Sequence, residues 1–146
     1  MTKVISGFPA VGKSYLFNIS DSVLDSDSSL FSWIEEGVRH PSFPNNYMEH
    51  IKANYGKVDY ILVSSHDIVR EALKENEINY TLVYPSINLK DDYMQRYRDR
   101  GNDQKFISFI ESNWNKFIND IKKETYPKLI ELQKGQYLKD VIENIS

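Results

Sequence analysis

The amino-acid sequence predicts a three-layer α/β/α fold, in which helices cover both faces of a five-stranded parallel sheet. Apolar segments alternate with amphipathic segments along most of the chain, which is typical of strands joined by crossover helices. Residues 58–65 are apolar almost throughout, as expected for a central strand buried on both faces. A segment containing two glycines, residues 7–14, lies between the first predicted strand and a predicted helix.

The size and composition of the chain are typical of a single globular domain, residues 1–146. A formal net charge of -3 argues against long nucleic acid as the main partner. No apolar run is long enough to span a membrane, and the first strand leaves no room for a signal peptide, so we expect a cytoplasmic protein. Because cysteine is absent, any metal should be a hard cation bound by oxygen.

Five segments predict strands, because each contains an apolar pair or run and is followed by turn formers or helical periodicity. These segments are residues 3–6, 23–27, 58–65, 80–84 and 128–132. The alternation with helices implies that the strands are parallel and that ligands bind at their carboxyl ends.

Amphipathic periodicity predicts the intervening helices at residues 13–17, 66–76, 89–100, 103–123 and 137–145. The apolar stripe from Phe106 to Ile121 is expected to be core. Residues 28–57 resemble an insert outside the sheet, since two prolines and a glycine interrupt them. We expect one helix around residues 47–55 and another that contains Leu30, Phe31, Trp33 and Ile34.

The segment 7–14 has the spacing GxxxxGKS of a phosphate-binding loop, or P-loop. Its glycines free backbone N–H groups to surround phosphate, Lys13 reaches the β and γ oxygens, and the Ser14 hydroxyl binds Mg²⁺. The positive end of the following helix would face the same anion. We therefore expect a nucleoside triphosphate such as ATP, with Mg²⁺, bound by Gly7, Ala10, Val11, Gly12, Lys13, Ser14 and Tyr15.

Two arginines on a predicted helix are candidates for catalysis together with Lys13, because phosphoryl transfer needs positive charge around the transferred group. Arg96 and Arg100 lie about one helical turn apart and can converge on phosphate oxygens. The alternative is a solvated helix face in which these arginines pair with nearby aspartates.

Asp25 and Asp27 are two residues apart, so both would point to one face of the second strand near its carboxyl end. Asp25 could hold Mg²⁺ through a water molecule, and both carboxylates could bind the substrate. Asp27 could also be a catalytic base for a hydroxyl acceptor. The alternative is that both are turn residues with local backbone bonds.

Three further residues are candidates for substrate binding. Arg39, the only arginine of the insert, and Arg70, about one turn into the helix after the third strand, could hold an anionic acceptor. Arg70 could equally pair with Asp67 or Glu71. For His66 we expect loop or substrate contacts and not metal ligation.

The chain resembles the P-loop nucleoside-monophosphate kinases, and especially the compact phage-type deoxynucleoside-monophosphate kinases. The resemblance is carried by residues 7–14, by Asp25-Ser26-Asp27, and by Tyr84-Pro85 leading to Arg96-Tyr97-Arg98-Asp99-Arg100-Gly101. It implies that residues 28–57 bind the acceptor monophosphate and that residues 86–102 form a short lid bearing Arg96 and Arg100. It also implies that Arg39 and Arg70 bind the acceptor phosphate.

One feature departs from this family: the third strand ends in Val63-Ser64-Ser65, where many relatives have the Walker B aspartate. Asp25 and Asp27 are also similar to the paired aspartates of shikimate-kinase-like enzymes, which serve magnesium and a hydroxyl substrate. They could replace the missing group or indicate a different acceptor.

The leading hypothesis is phosphoryl transfer from ATP to a nucleoside or deoxynucleoside monophosphate, by a phosphotransferase that needs Mg²⁺ and lid closure. A kinase of a hydroxyl metabolite or of a nucleic-acid 5′ end is an alternative. A regulatory protein that binds a nucleotide without turning it over is another.

Overall fold

Five parallel strands form the central sheet, as the sequence predicts. The computed structural model describes residues 2–13, 22–25, 33–35, 38–39, 44–142 and 145, with the side chains of residues 25, 33–35 and 38–39 excepted. The strands of the sheet are β1 (Lys3–Gly7), β2 (Val23–Asp25), β5 (Tyr60–Ser64), β6 (Tyr80–Pro85) and β7 (Lys128–Leu132). Their order across the sheet is β2-β5-β1-β6-β7, so β1 lies at the centre.

Helices flank the sheet and give the three-layer arrangement. They are α1 (Asn45–Asn54), α2 (Asp67–Glu75), α3 (Lys90–Asp99), α4 (Gln104–Lys122) and α5 (Leu138–Val141), with a 3-10 turn at Ile87–Leu89 before α3. The 19-residue helix α4 begins where the Asp103 side chain accepts a hydrogen bond from the Phe106 N–H. No helix within the described ranges is long and apolar enough to cross a membrane.

The direction of the crossovers explains where α2 and α4 lie. The connections from β5 to β6 and from β6 to β7 run the same way across the sheet. Right-handed crossovers in one direction place their helices on one face, so α2 and α4 are neighbours. An ion pair between Arg70 of α2 and Glu124, just after α4, joins them at 2.7 Å.

The core between β1, α3 and α4 is centred on Trp114, which is fully buried. The indole lies edge-on to the Phe8 ring at 5.6 Å, and the Tyr93 ring of α3 is 5.7 Å away. The indole N–H of Trp114 donates to the Ile87 carbonyl at 2.8 Å. This packing fixes α3 and α4 beside the end of β1, where the P-loop begins.

The structure corrects one prediction within residues 28–57. Trp33 and Ile34, predicted as helical, belong to β3 (Trp33–Glu35), which pairs antiparallel with β4 (Val38–Arg39). Aromatic and β-branched residues favour strands, and a helix this short is unstable on its own, so strand pairing prevails. The second predicted helix is confirmed as α1, whereas Leu30 and Phe31 lie outside the described residues.

Candidate nucleotide-binding site

The P-loop leaves the carboxyl end of β1, and its last described residue, Lys13, is helical. Its second residue, Phe8, is tied to the sheet because its N–H donates to the Val83 carbonyl at 3.0 Å. Ala10 and Gly12 have φ angles of 73° and 109°, in the left-handed region. Left-handed residues in a tight turn gather backbone N–H groups into a concave site for an anion.

Three successive carbonyls of the loop are anchored by residues distant in sequence. The Tyr97 hydroxyl donates to the Pro9 carbonyl at 3.2 Å, and Arg96 Nη1 donates to the Ala10 carbonyl at 2.9 Å. The Leu138 N–H, in the C-terminal segment, donates to the Val11 carbonyl at 2.8 Å. The loop is therefore held from its carbonyl side by α3 and by the start of α5.

This anchoring orients backbone donors toward the opposite side of the loop. In a trans peptide, the C=O and N–H groups point in opposite directions. The N–H groups of Ala10 and Gly12 therefore point away from the anchors of Pro9 and Val11. Neither N–H has a hydrogen-bond partner among the described residues, so both can bind phosphate oxygens.

Gly7 and Lys13 are close together in the loop, since the Lys13 ammonium donates to the Gly7 carbonyl at 2.6 Å. A Cβ atom at Gly7 would lie 2.9 Å from Cγ2 of Val11 and 3.2 Å from Cδ of Lys13. Position 7 therefore requires glycine because of close approach. The lysine is well placed to exchange the Gly7 carbonyl for a phosphate oxygen.

The two arginines of the predicted lid have different environments. Arg96 is sandwiched between two aromatic rings, with its guanidinium carbon 4.2 Å from the centre of Tyr93 and 4.1 Å from that of Tyr137. Arg100, at the end of α3, is exposed. Among the described residues of the P-loop, 7–13, the structure thus shows a contact with Arg96 and none with Arg100.

Tyr93 and Tyr97 both pack under the loop with no exposed surface, but their hydroxyls differ. The Tyr97 hydroxyl is bonded to the loop, whereas the Tyr93 hydroxyl is buried without a hydrogen-bond partner in the described part of the chain. Burial raises the pKa of Tyr93 to about 12, and the Arg96 charge opposes this shift. Burial also raises the pKa of Tyr97.

A cavity of about 360 Å³ lies next to the P-loop at the carboxyl ends of β1 and β5. Gly7, Phe8 and Lys13 form one wall, and the start of α2 forms another. The third wall is α4, where Phe109 and Phe117 lie 5.6 Å apart. The cavity thus has a polar end at Lys13 and Ser64 and an apolar, aromatic side at α4, and Ala10 and Gly12 are not among its lining residues.

Arg70 and His66, two of the candidates for substrate binding, both line this cavity. Arg70 is mostly buried and already paired: Nη1 contacts the Glu124 carboxylate at 2.7 Å, and Nε donates to the Ser65 carbonyl at 2.9 Å. Its acidic partner is therefore Glu124 and not Asp67 or Glu71. His66 is exposed at the start of α2.

The end of β5 has no Walker B carboxylate, in agreement with the sequence. The strand ends at Ser64, and the first acidic residue after it is Asp67, whose carboxylate accepts the Ile68 N–H at 2.8 Å. Across the residues that the structure describes, no three acidic or histidine side chains cluster as a metal site. This is compatible with Mg²⁺, which usually keeps several waters and takes one or two protein ligands together with phosphate oxygens.

The other predicted site residues are only partly covered by the structure. The backbone of Asp25 ends β2 beside Leu62, two residues before the carboxyl end of β5, and the backbone of Arg39 belongs to β4. Ser14, Tyr15 and Asp27 lie outside the described residues.

Sequence analysis did not identify several residues that build the site. Tyr137 and Leu138 reach the loop only through the tertiary fold, and nothing in their local sequence indicates it. Phe109 and Phe117 are eight residues apart and thus share a side of α4. The spacing does not separate Phe117 from the core, because it belongs to the stripe predicted as core and lies seven residues after the buried Ile110, on the same side of the helix. The structure corrects that prediction: Phe117 is half-buried and lines the cavity.

Comparisons with known proteins identify no family. The chain matches no protein-family model, and a search of curated proteins finds no match either. The functional interpretation therefore depends on the loop, the cavity and their chemistry.

Proposed function

We propose that the protein transfers the γ-phosphoryl group of ATP to a nucleoside monophosphate, as do the P-loop kinases that its sequence resembles. One observation carries this proposal: the P-loop forms a wall of a cavity large enough for a second ligand. The phosphate donor and an acceptor could therefore meet at Lys13. In-line transfer needs this proximity more than it needs covalent chemistry by the protein.

In the donor half, the Ala10 and Gly12 N–H groups and Lys13 bind the β and γ phosphates of ATP. Ser14 and, through water, Asp25 are the proposed Mg²⁺ ligands, on the basis of the sequence motif. Magnesium would neutralise charge on the phosphate oxygens when bound. Lys13 would leave the Gly7 carbonyl and stabilise the charge that develops during transfer.

In the acceptor half, the monophosphate lies in the cavity with its phosphate toward Lys13 and its base toward the α4 wall. Phe109 and Phe117 offer aromatic surface for stacking. His66 and Arg70 contribute polar groups on the opposite wall. Arg39 is a further candidate for the acceptor phosphate, by resemblance alone.

The reaction requires no catalytic base, since the acceptor phosphate is already ionised at neutral pH. An acceptor phosphate oxygen forms a bond to the γ phosphorus, while the bond from that phosphorus to the β–γ bridging oxygen breaks and ADP leaves. Arg100 is exposed on α3 and could approach the transferred group on lid closure. Asp27 would become important only for a hydroxyl acceptor, which must lose a proton.

The test is transfer from γ-³²P-labelled ATP across a complete panel of ribo- and deoxynucleoside monophosphates. We expect a labelled nucleoside diphosphate with at least one acceptor, and at least hundredfold slower transfer by Lys13→Ala. Folded wild-type protein that binds ATP yet labels no acceptor in the panel would overturn the proposal.

A second candidate is a nucleotide-binding protein that catalyses no transfer, favoured by the lack of a carboxylate at the end of β5. It predicts ATP binding that Lys13→Ala abolishes, with no labelled product from any acceptor. Adding hydroxyl metabolites and nucleic-acid 5′ ends to the panel distinguishes such a binding protein from a kinase of a hydroxyl acceptor. For that kinase, Asp27→Asn should abolish transfer and leave ATP binding intact.

A further inference from the structure

We propose that Arg96 is a positioning residue: it holds Ala10 in the left-handed conformation that the P-loop needs for phosphate binding. This inference rests on the proposed nucleotide binding. It gives Arg96 a role different from the one the family resemblance implies, which is direct phosphate contact by a mobile lid.

Ala10 has a strained backbone conformation. A non-glycine residue at a φ of 73° carries a steric penalty from its Cβ atom, which glycine avoids. Such a conformation persists only where surrounding contacts enforce it. Arg96 supplies such a contact directly on the Ala10 carbonyl, at 2.9 Å.

Arg96 is itself held in place by aromatic stacking. Its guanidinium lies between Tyr93 and Tyr137, at 4.2 and 4.1 Å from the ring centres. Tyr93 is fully buried, and Tyr137 precedes Leu138, whose N–H holds the next loop carbonyl. Stacking on both faces fixes the plane from which Nη1 donates.

Arg96 acts on the carbonyl of Ala10 and not on the proposed phosphate donors; the N–H of the same peptide, that of Val11, donates to the Phe8 carbonyl. Arg96 binds a carbonyl, whereas the Ala10 and Gly12 N–H groups point away from the anchored carbonyls of their peptides. Without Arg96, Ala10 can relax to a negative φ. The adjoining peptides would then rotate and turn N–H groups out of the anion site.

The test is a double-mutant cycle in the affinity for ADP with Mg²⁺, measured by titration calorimetry. We expect Arg96→Ala to weaken ADP binding about tenfold, the equivalent of one charge-assisted hydrogen bond. In an Ala10→Gly background, the same substitution should weaken binding only about threefold or less, because glycine reaches the left-handed region without help. If Arg96 touched phosphate directly, Arg96→Ala would weaken ADP binding by the same factor in the wild-type and Ala10→Gly backgrounds, and that result would overturn the proposal.

Two matched variants control for charge and for backbone effects. Arg98→Ala removes a positive charge from the same helix, at a side chain that bonds Gln95. It should not weaken ADP binding. Glu77 is the other described non-glycine residue with a positive φ, at 56°. Glu77→Gly should not reduce the effect of Arg96→Ala.

Further variants cover the case in which Arg96→Ala does not fold. Arg96→Lys keeps a donor but loses the stacked plane, so its loss of affinity should be intermediate. Tyr137→Phe keeps the ring and should lose less affinity than Tyr137→Ala; equal losses would contradict the stacking argument. Wild-type protein that binds no nucleotide would overturn the proposed function itself, whereas normal binding with a purely additive cycle overturns the positioning role alone.

Discussion

The two sides of the P-loop are built differently. On the carbonyl side, Tyr97, Arg96 and Leu138 bond three successive carbonyls, and Tyr93 and Tyr97 are completely buried. On the side that faces the cavity, Gly7, Phe8, Pro9 and Lys13 of the loop form the wall, and across the cavity Phe109 of α4 is 57% exposed. The contrast is between a loop that the fold holds firmly and a neighbouring cavity wall that is partly exposed. In the proposed function, the loop would be a phosphate cradle that is formed before the ligand arrives.

This difference has a physical basis. A preformed cradle avoids the loss of conformational freedom that ordering the loop on binding would involve. An open apolar wall gains contact with a ligand through burial of exposed aromatic surface. Variants on the two sides should therefore affect different measurements.

The largest expected effect on ADP affinity comes from Gly7→Ala, which distorts the P-loop. The added methyl group would meet Val11 at 2.9 Å and displace the stem of Lys13. Overpacking of this kind costs about 1–3 kcal/mol, so ADP affinity should fall about tenfold to hundredfold. Gly101→Ala is the control: it is strained by a φ of 79° but meets no atoms within 4 Å. It should lower the melting temperature and leave ADP binding unchanged.

Substitutions in the α4 wall of the cavity should raise the KM for the acceptor. If the acceptor base stacks on α4, Phe117→Ala removes a contact of about 1–2 kcal/mol and raises the acceptor KM about tenfold, with the ATP KM preserved. Phe109→Ala, at a more exposed position, should have a smaller effect. An unchanged acceptor KM in both variants would contradict this location of the acceptor.

A matched pair of tyrosines tests the anchoring more finely. Tyr97→Phe removes the hydroxyl bonded to Pro9 and should lower the free energy of unfolding by about 1 kcal/mol. Tyr93→Phe removes a buried hydroxyl without a partner in the described chain, so it should be neutral or stabilising by up to about 1 kcal/mol. Urea unfolding measures both. Equal destabilisation in the two variants would mean that the hydroxyl of Tyr97 contributes nothing specific.

The smallest effect concerns alkaline pH. Burial raises the pKa of Tyr93 to about 12, above the value of about 10 in the unfolded chain. The unfolded state therefore loses this proton first, and stability should fall as pH rises from about 10 to about 12. Tyr93→Phe should reduce that fall by about 1 kcal/mol or less at pH 10.5. Identical pH dependence of urea unfolding in the two proteins would argue against the raised pKa.

Local sequence patterns were sufficient for most of the fold. The predicted strand 128–132 has the observed bounds, and Asp103 caps a helix within one residue of the predicted start. Both depend on neighbouring residues only. The helix predicted through Trp33 and Ile34 is wrong because pairing with another strand outweighed local periodicity.

The candidate site was less predictable, because it depends on contacts between distant parts of the chain. The motif located Lys13 and the glycines. Arg96 bonds Ala10 and Arg70 bonds Glu124, which lie 86 and 54 residues away in sequence. From helix spacing, we expected these arginines to bind phosphate or carboxylates nearby in the sequence. Strand order likewise follows from tertiary packing, which alone brings α2 and α4 together around the cavity.

The most direct test is a crystal structure with ADP, Mg²⁺ and the best monophosphate acceptor from the transfer assay. We expect the β phosphate within hydrogen-bond distance of the Ala10 and Gly12 N–H groups and of the Lys13 ammonium. The acceptor should occupy the cavity with its base against Phe117. Nucleotide phosphates bound away from residues 7–13, or an acceptor outside the cavity, would contradict the account.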